Sequence, residues 1–411
     1  MKTRLHRYTL SLVLIPSLVS CKTGDPEDTA DTDTASGTTG DPTGGEPTTG
    51  TPLECSGIEI PAIDESSCKP LATDYQPRTN NSADDTWPAC AGDTLPYQQV
   101  DAKTPGSAAR IDAYEEIAKL LWNVTDEPSP QDFTAARDQY SIPEGLASRV
   151  VRREDDHYPQ IPKAEWDPQV DGDKQCTVAK LAAKYTDRCV GPNHMQPIID
   201  DAFAAGQKGD GDVRVHAARI HATLDWFLHI SVYKEAFTCA TEDPADCDSS
   251  WAYYTGLEPI DSGKGLSRAV LDISKSTHER IWDGIRTTRC WRDLTQDDMG
   301  GYPFLEMLDA GSNALFQQGW EQLDQALHRG FAVIVRKHTE DYMKSACGSG
   351  DLYLPAAWAY LQVAGPVLQR EADERDATNA KVLADLWASD APTEKQLADG
   401  IATLDAIFAC P

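Results

Sequence analysis

Residues 212–237 read DVRVHAARIHATLDWFLHISVYKEAF. They carry a long three- and four-residue periodicity, with Leu228 and Val232 continuing one stripe toward Glu235. Asp212 stands where an N-cap is wanted. This stretch predicts a long helix. The same spacing extends outward to Arg110–Trp122, Gln131–Gln139, Glu144–Arg153, Cys176–Tyr185 and Gln196–Ala205 on one side. On the other side it covers Leu266–Thr288, Ser312–Ser345 (with Ser312 as N-cap), Pro355–Leu368, Glu371–Ala388 and Glu394–Ala409. Few segments alternate with the period of two that a strand requires. The predicted class is therefore all-α, as antiparallel helical bundles. We place one bundle at 106–294 and a second at 295–411. Residues 55–105, rich in Pro, Asp and Ser with three Cys, are expected to form an irregular, disulfide-stapled lead-in. The run EDDHYPQIPKAEWDPQVDGDKQ at 154–175 reads as loop, since it holds three prolines and no sustained period.

Composition limits the partners. The chain has 411 residues and a formal net charge of −29. That balance argues against nucleic-acid binding, which needs clustered cations. The N-terminus points to a membrane surface instead. Lys2, Arg4 and Arg7 precede a short apolar stretch, Tyr8 to Val19, which is too short to span a bilayer comfortably. The stretch ends Leu18-Val19-Ser20-Cys21, which resembles the bacterial lipobox. The resemblance implies a signal peptide at 1–20 and acylation of Cys21, with Lys22 fitting default sorting to the outer membrane. Residues 22–54 (KTGDPEDTADTDTASGTTGDPTGGEPTTGTPLE) carry one large apolar residue, Leu53, and cannot bury a core. They are expected to act as a tether, with a root-mean-square span of about 30 Å. The expected setting is a lipid-anchored protein of the cell envelope, on its periplasmic face or at the cell surface.

The cysteines agree with that compartment. Ten remain beside Cys21: Cys55, Cys68, Cys90, Cys176, Cys189, Cys239, Cys247, Cys290, Cys347 and Cys410. An even count in an oxidising compartment is expected to pair fully. Cys176/Cys189 and Cys239/Cys247 are the natural local pairs, and the remaining connectivity stays open. No CxxC or CxxCH occurs, which removes the usual zinc-ribbon, thioredoxin-type and c-type haem readings.

An ordered echo runs through the C-terminal half. HISVYKEAFTC, an acidic loop and WAYYTG (251–256) are followed later by RKHTEDYMKSAC, a loop and WAYLQVAG (358–365). Trp282-Asp283-Gly284-Ile285 likewise precedes Ala398-Asp399-Gly400-Ile401. The shared order points to internal duplication. With Lys234-Glu235-Ala236-Phe237 and Trp251 to Gly256, it resembles the imelysin-like envelope proteins, in which an aromatic, acidic WDEAF…YFG stretch follows a long helix. The resemblance covers roughly residues 190–411. It implies an envelope lipoprotein of two related helical bundles linked to iron uptake. The GxHxxE motif of that family is absent here, so no metal site or peptidase activity carries over, and architecture by itself does not assign function.

One constellation stands out on residues alone. His221, Asp225, His229 and Glu235 lie on the long helix, the first three at four-residue steps that keep neighbours near one face. Imidazole and carboxylate so placed suit a divalent metal. The competing reading makes His221 and His229 boundary residues, hydrogen-bonded to backbone or to Asp225. There is no GxSxG, HExxH or Gly-rich phosphate loop. The leading expectation is a binding or accessory protein for a metal, a small ligand or an envelope protein. A metal-dependent hydrolase with a site assembled from distant residues, and a purely structural surface protein, stand as the alternatives.

Overall fold

The computed structural model describes residues 53, 55–66, 68, 97, 99, 103–241, 243, 245–296 and 310–410. The expected signal segment, Cys21, the expected tether apart from Leu53, and Cys90 lie outside the described residues, as does the side chain of Cys290. The described residues belong to one compact unit, Glu46–Pro411. They contain helices and irregular connections and no strand.

Thirteen α-helices run through the described residues: α1 (Gly106–Leu121), α2 (Pro130–Tyr140), α3 (Leu146–Val150), α4 (Ala179–Lys184), α5 (Gln196–Lys208), α6 (Val213–Thr241), α7 (Ala245–Thr255), α8 (Leu266–Ile273), α9 (Lys275–Gln296), α10 (Ala310–Ala346), α11 (Leu354–Ala364), α12 (Gln369–Trp387) and α13 (Glu394–Ile407). The expected all-α class holds. Caps set several starts. Asp212 Oδ1 accepts from the backbone N–H of Arg214 at 3.0 Å and opens α6. Ser129 with Asp132, and Thr393 with Gln396, form reciprocal capping boxes at α2 and α13. The single helix expected over Leu266–Thr288 is instead two. Ser274 leaves helical geometry at φ −147°, ψ 96°. Its hydroxyl accepts from the Thr277 N–H at 3.3 Å and so caps α9.

α6 is the axis of the fold. Residues 222–225 and 227–233 are buried without interruption, so this helix is enclosed on all sides rather than amphipathic. It packs against α5, α7, α10 and α11. Its buried hydroxyls are satisfied along the helix: Thr223 Oγ1 donates to Arg219 O at 2.7 Å and Ser231 Oγ to Phe227 O at 2.5 Å. α10, the longest helix, packs against α6, α9, α11 and α13. Gly284 permits the closest approach of α9 to α10, since a Cβ there would lie 2.6 Å from Leu323 Cα. Helices from both expected bundle regions, 106–294 and 295–411, contribute to a single hydrophobic core.

The lead-in is stapled, as its cysteines suggested. Disulfides join Cys55 to Cys347 and Cys68 to Cys410, across 292 and 342 residues of sequence. Between them, the Glu394 carboxylate accepts from the backbone N–H groups of Ser56, Gly57 and Ile58 at 2.6, 3.1 and 3.0 Å. Buried Arg336 donates to Pro61 O and to Asp405. The local pairs Cys176–Cys189 and Cys239–Cys247 form as expected.

Candidate metal centre

The histidines of α6 separate into different environments. His221 Nε2 lies 3.3 Å from Asp225 Oδ2. The Asp225 carboxylate, 2% exposed, also accepts from the hydroxyls of Tyr114 and Tyr360, each at 2.7 Å. Burial raises the Asp225 carboxyl to about 6, opposed by those two hydroxyl donors. Trp122 stacks on His221 at 4.4 Å and His338 on Tyr360 at 4.1 Å. Burial pushes both imidazoles down. This cluster ties α1, α6, α10 and α11 together, and both Asp225 oxygens are already engaged. Glu235 lies elsewhere, 3.5 Å from Arg153 Nη1. Its charge, after burial, raises the neighbouring Asp246 carboxyl. The rise of 1.5 Å per residue explains the separation: His221 and Glu235 are about 21 Å apart along the axis. The four residues singled out on α6 therefore do not meet at one point. Only His221 and Asp225 touch.

His229 reaches a second cluster, whose other members come from outside α6. His157, Asp324 and His328 each bring one ligand-type atom within 4.8 Å of the others. His157 Nε2 lies 2.9 Å from Asp324 Oδ1, and His157 Nδ1 lies 2.6 Å from Asp155 Oδ1. His328 Nδ1 lies 3.0 Å from the same Asp324 oxygen, and its Nε2 is 4.0 Å from Glu371 Oε2 on α12. The His157 ring stacks face to face on Tyr233 of α6 at 3.9 Å.

Local structure explains how a loop histidine is held so firmly. The 154–158 segment wraps the Arg188 guanidinium. Arg188 donates to Glu154 Oε2 at 2.8 and 2.7 Å and to the carbonyls of Asp155 and Tyr158 at 3.2 and 2.9 Å. The Asp155 N–H returns to Arg188 O at 2.8 Å. Cys189, next in sequence, is bonded to Cys176. Gly191 lets the segment close, because a Cβ there would sit 2.0 Å from Val150 O. α10 supplies Asp324 and His328 one turn apart on one face.

The electrostatics follow from burial and pairing. Burial would lower the His157 imidazole, but hydrogen bonds to Asp155 and Asp324 outweigh it and raise the group to about 9. With both ring nitrogens facing carboxylates, His157 is an imidazolium at neutral pH. Burial works against the charged forms of Asp324 and Asp155; the His328 charge and the His157 hydrogen bond overcome it at Asp324, and the His157 hydrogen bond does so at Asp155, so both stay well ionised. Burial pushes His229 well down, with the His328 and His157 charges adding to the effect. The site thus holds two ionised aspartates on either side of the His157 imidazolium, whose proton toward Asp324 a cation can replace. Two ligands on a tetrahedral metal with bonds near 2.1 Å sit about 3.4 Å apart. The 2.9 and 3.0 Å separations here would have to open to admit one, and His328 Nδ1, which also faces the Asp324 backbone carbonyl at 3.1 Å, would have to give up its proton.

Of this cluster, spacing along the sequence marks His229 alone. His157 lies in the segment read as loop, where Glu154-Asp155-Asp156-His157 was the available signal. Asp324 and His328 repeat the four-residue carboxylate–imidazole spacing noticed at His221 and Asp225. Comparison with protein-family models, with curated proteins and with solved structures finds no match to this chain. Among the described residues, no helix is long and apolar enough to cross a membrane.

Proposed function

We propose that the chain is a lipid-anchored envelope protein that binds a transition-metal cation within its helical body. The observation that carries this reading is the convergence of His157, Asp324 and His328 within 4.8 Å. They come from a loop and a helix far apart in sequence. Mixed imidazole and carboxylate ligands suit first-row transition metals better than Mg²⁺ or Ca²⁺, which prefer oxygen. Asp155 holds the far nitrogen of His157, the arrangement by which carboxylates orient metal-binding imidazoles. Anchoring through Cys21 and the tether would hold this site at the membrane surface, where several acyl chains give stable attachment. Binding and retention of the metal is the activity assigned.

Equilibrium dialysis of the full chain against Zn²⁺ or Co²⁺, followed by elemental analysis, tests the reading. One ion per chain is expected, lost in His157→Gln and in His328→Gln. Metal-free wild-type protein would leave the cluster as a buried ion-pair network and nothing more.

A further inference from the structure

We infer that His229 is the ligand that completes this site, and that the resident cation is a nitrogen-preferring divalent ion of the late first row, from Co²⁺ to Zn²⁺. The inference rests on the metal-binding reading above and adds a residue, a helix and a metal class to it.

His229 is 1% exposed. Its Nδ1 is buried and has no hydrogen-bond partner in the protein. A buried polar atom left unpaired costs stability, and such atoms in folded proteins call for an explanation. Here the surroundings supply one. The His229 ring centroid lies 5.3 Å from that of His328 and 6.4 Å from that of His157. Phe331 packs against the ring at 4.9 Å.

His229 stands outside the three residues whose ligand atoms lie within 4.8 Å of one another, so its ring would have to turn inward to make the donor set three imidazoles and the Asp324 carboxylate, with the Glu371 carboxylate beyond His328. Three nitrogens move selectivity away from Mg²⁺, Ca²⁺ and Mn²⁺ toward the late first row. The geometry also changes what binding does to the fold. His157 sits on the loop held by Arg188, His229 on the central α6, and Asp324 with His328 on α10. One ion would tie all three together.

The test uses the full chain with Co²⁺ as probe, because its visible absorption strengthens as coordination falls from six toward four. Wild type should bind Co²⁺ and Zn²⁺ far more tightly than Mn²⁺ or Mg²⁺, with an intense visible band. His229→Leu should fold, judged by far-UV circular dichroism. It should bind Co²⁺ at least about tenfold more weakly, since even an outer partner of a ligand is worth 10–100-fold, and its band should change. His229→Asn is the second variant, used if the leucine protein does not fold. Unchanged affinity and spectrum in both variants, with binding still lost in His328→Gln, would overturn the role of His229 and leave the metal reading intact. Equal affinity of wild type for Mn²⁺ and Zn²⁺ would overturn the metal class. A wild type that binds no Co²⁺ would overturn both the inference and the reading beneath it.

Discussion

Replacing His157 by Gln removes the imidazolium between Asp155 and Asp324 and keeps a polar side chain of similar reach. The wild-type group is raised from 6.5 to about 9, and its side chain is 5% exposed, so solvent screening is slight. At 1.36 kcal/mol per decade of proton affinity, this is worth about 3 kcal/mol. A raised pKa contributes stability that is fully present below 6.5 and lost as pH rises through about 9. The variant should therefore be about 3 kcal/mol less stable than wild type at pH 6, and the gap should shrink toward zero by pH 10. Asp246 also has a raised carboxyl that titrates near 8, so absolute stability varies over the same range for another reason. The difference between the two proteins isolates His157. Urea unfolding at pH 6, 8 and 10, with chelator present and disulfides intact, measures it. A gap of constant size across those pH values would refute the assignment of the proton to His157.

Four further outcomes are expected. Tyr114→Phe and Tyr360→Phe each remove a hydroxyl donor from buried Asp225, and each should cost about 1.5–3 kcal/mol in urea unfolding, the usual range for a hydrogen bond to a charged group. Replacing Cys55 and Cys347 together by Ser opens a closure of 292 residues and should cost about 2–5 kcal/mol in the same assay. Zn²⁺ binding at pH 7 should release protons, because the cation displaces the one on His157; calorimetry in two buffers of different ionisation enthalpy reads this as a buffer-dependent heat. Cys21→Ser should abolish incorporation of labelled fatty acid and release the protein from the membrane fraction.

Helical periodicity carried most of the fold into view, because a three- to four-residue repeat is a local property that tertiary packing here reinforces. It failed at Ser274, where a hydroxyl cap splits one expected helix and nothing in the apolar spacing marks the break. Disulfides behaved in the same way. Cys176–Cys189 and Cys239–Cys247 span 13 and 8 residues and were visible from spacing. Cys55–Cys347 and Cys68–Cys410 depend on where the chain ends are carried, which spacing does not encode. The site was legible only in part for the same reason. Spacing along α6 singles out His229 but groups it with His221, Asp225 and Glu235, which turn to Tyr114, Tyr360 and Arg153 instead. Its neighbours come from a loop without periodicity and from α10, about a hundred residues further along. What places His157 beside Asp324 is the grip of Arg188 on residues 154–158 and the close approach at Gly191, neither of which has a signature in sequence spacing.

The central claim is that His157, Asp324 and His328 hold a metal ion. Anomalous diffraction at the cobalt edge, from crystals of the full chain grown with Co²⁺, tests it most directly. The account predicts one strong peak within about 2.0–2.3 Å of a ring nitrogen of His157, a ring nitrogen of His328 and an Asp324 oxygen. Strong peaks confined to surface carboxylates, with His157 still hydrogen-bonded between Asp155 and Asp324, would contradict it.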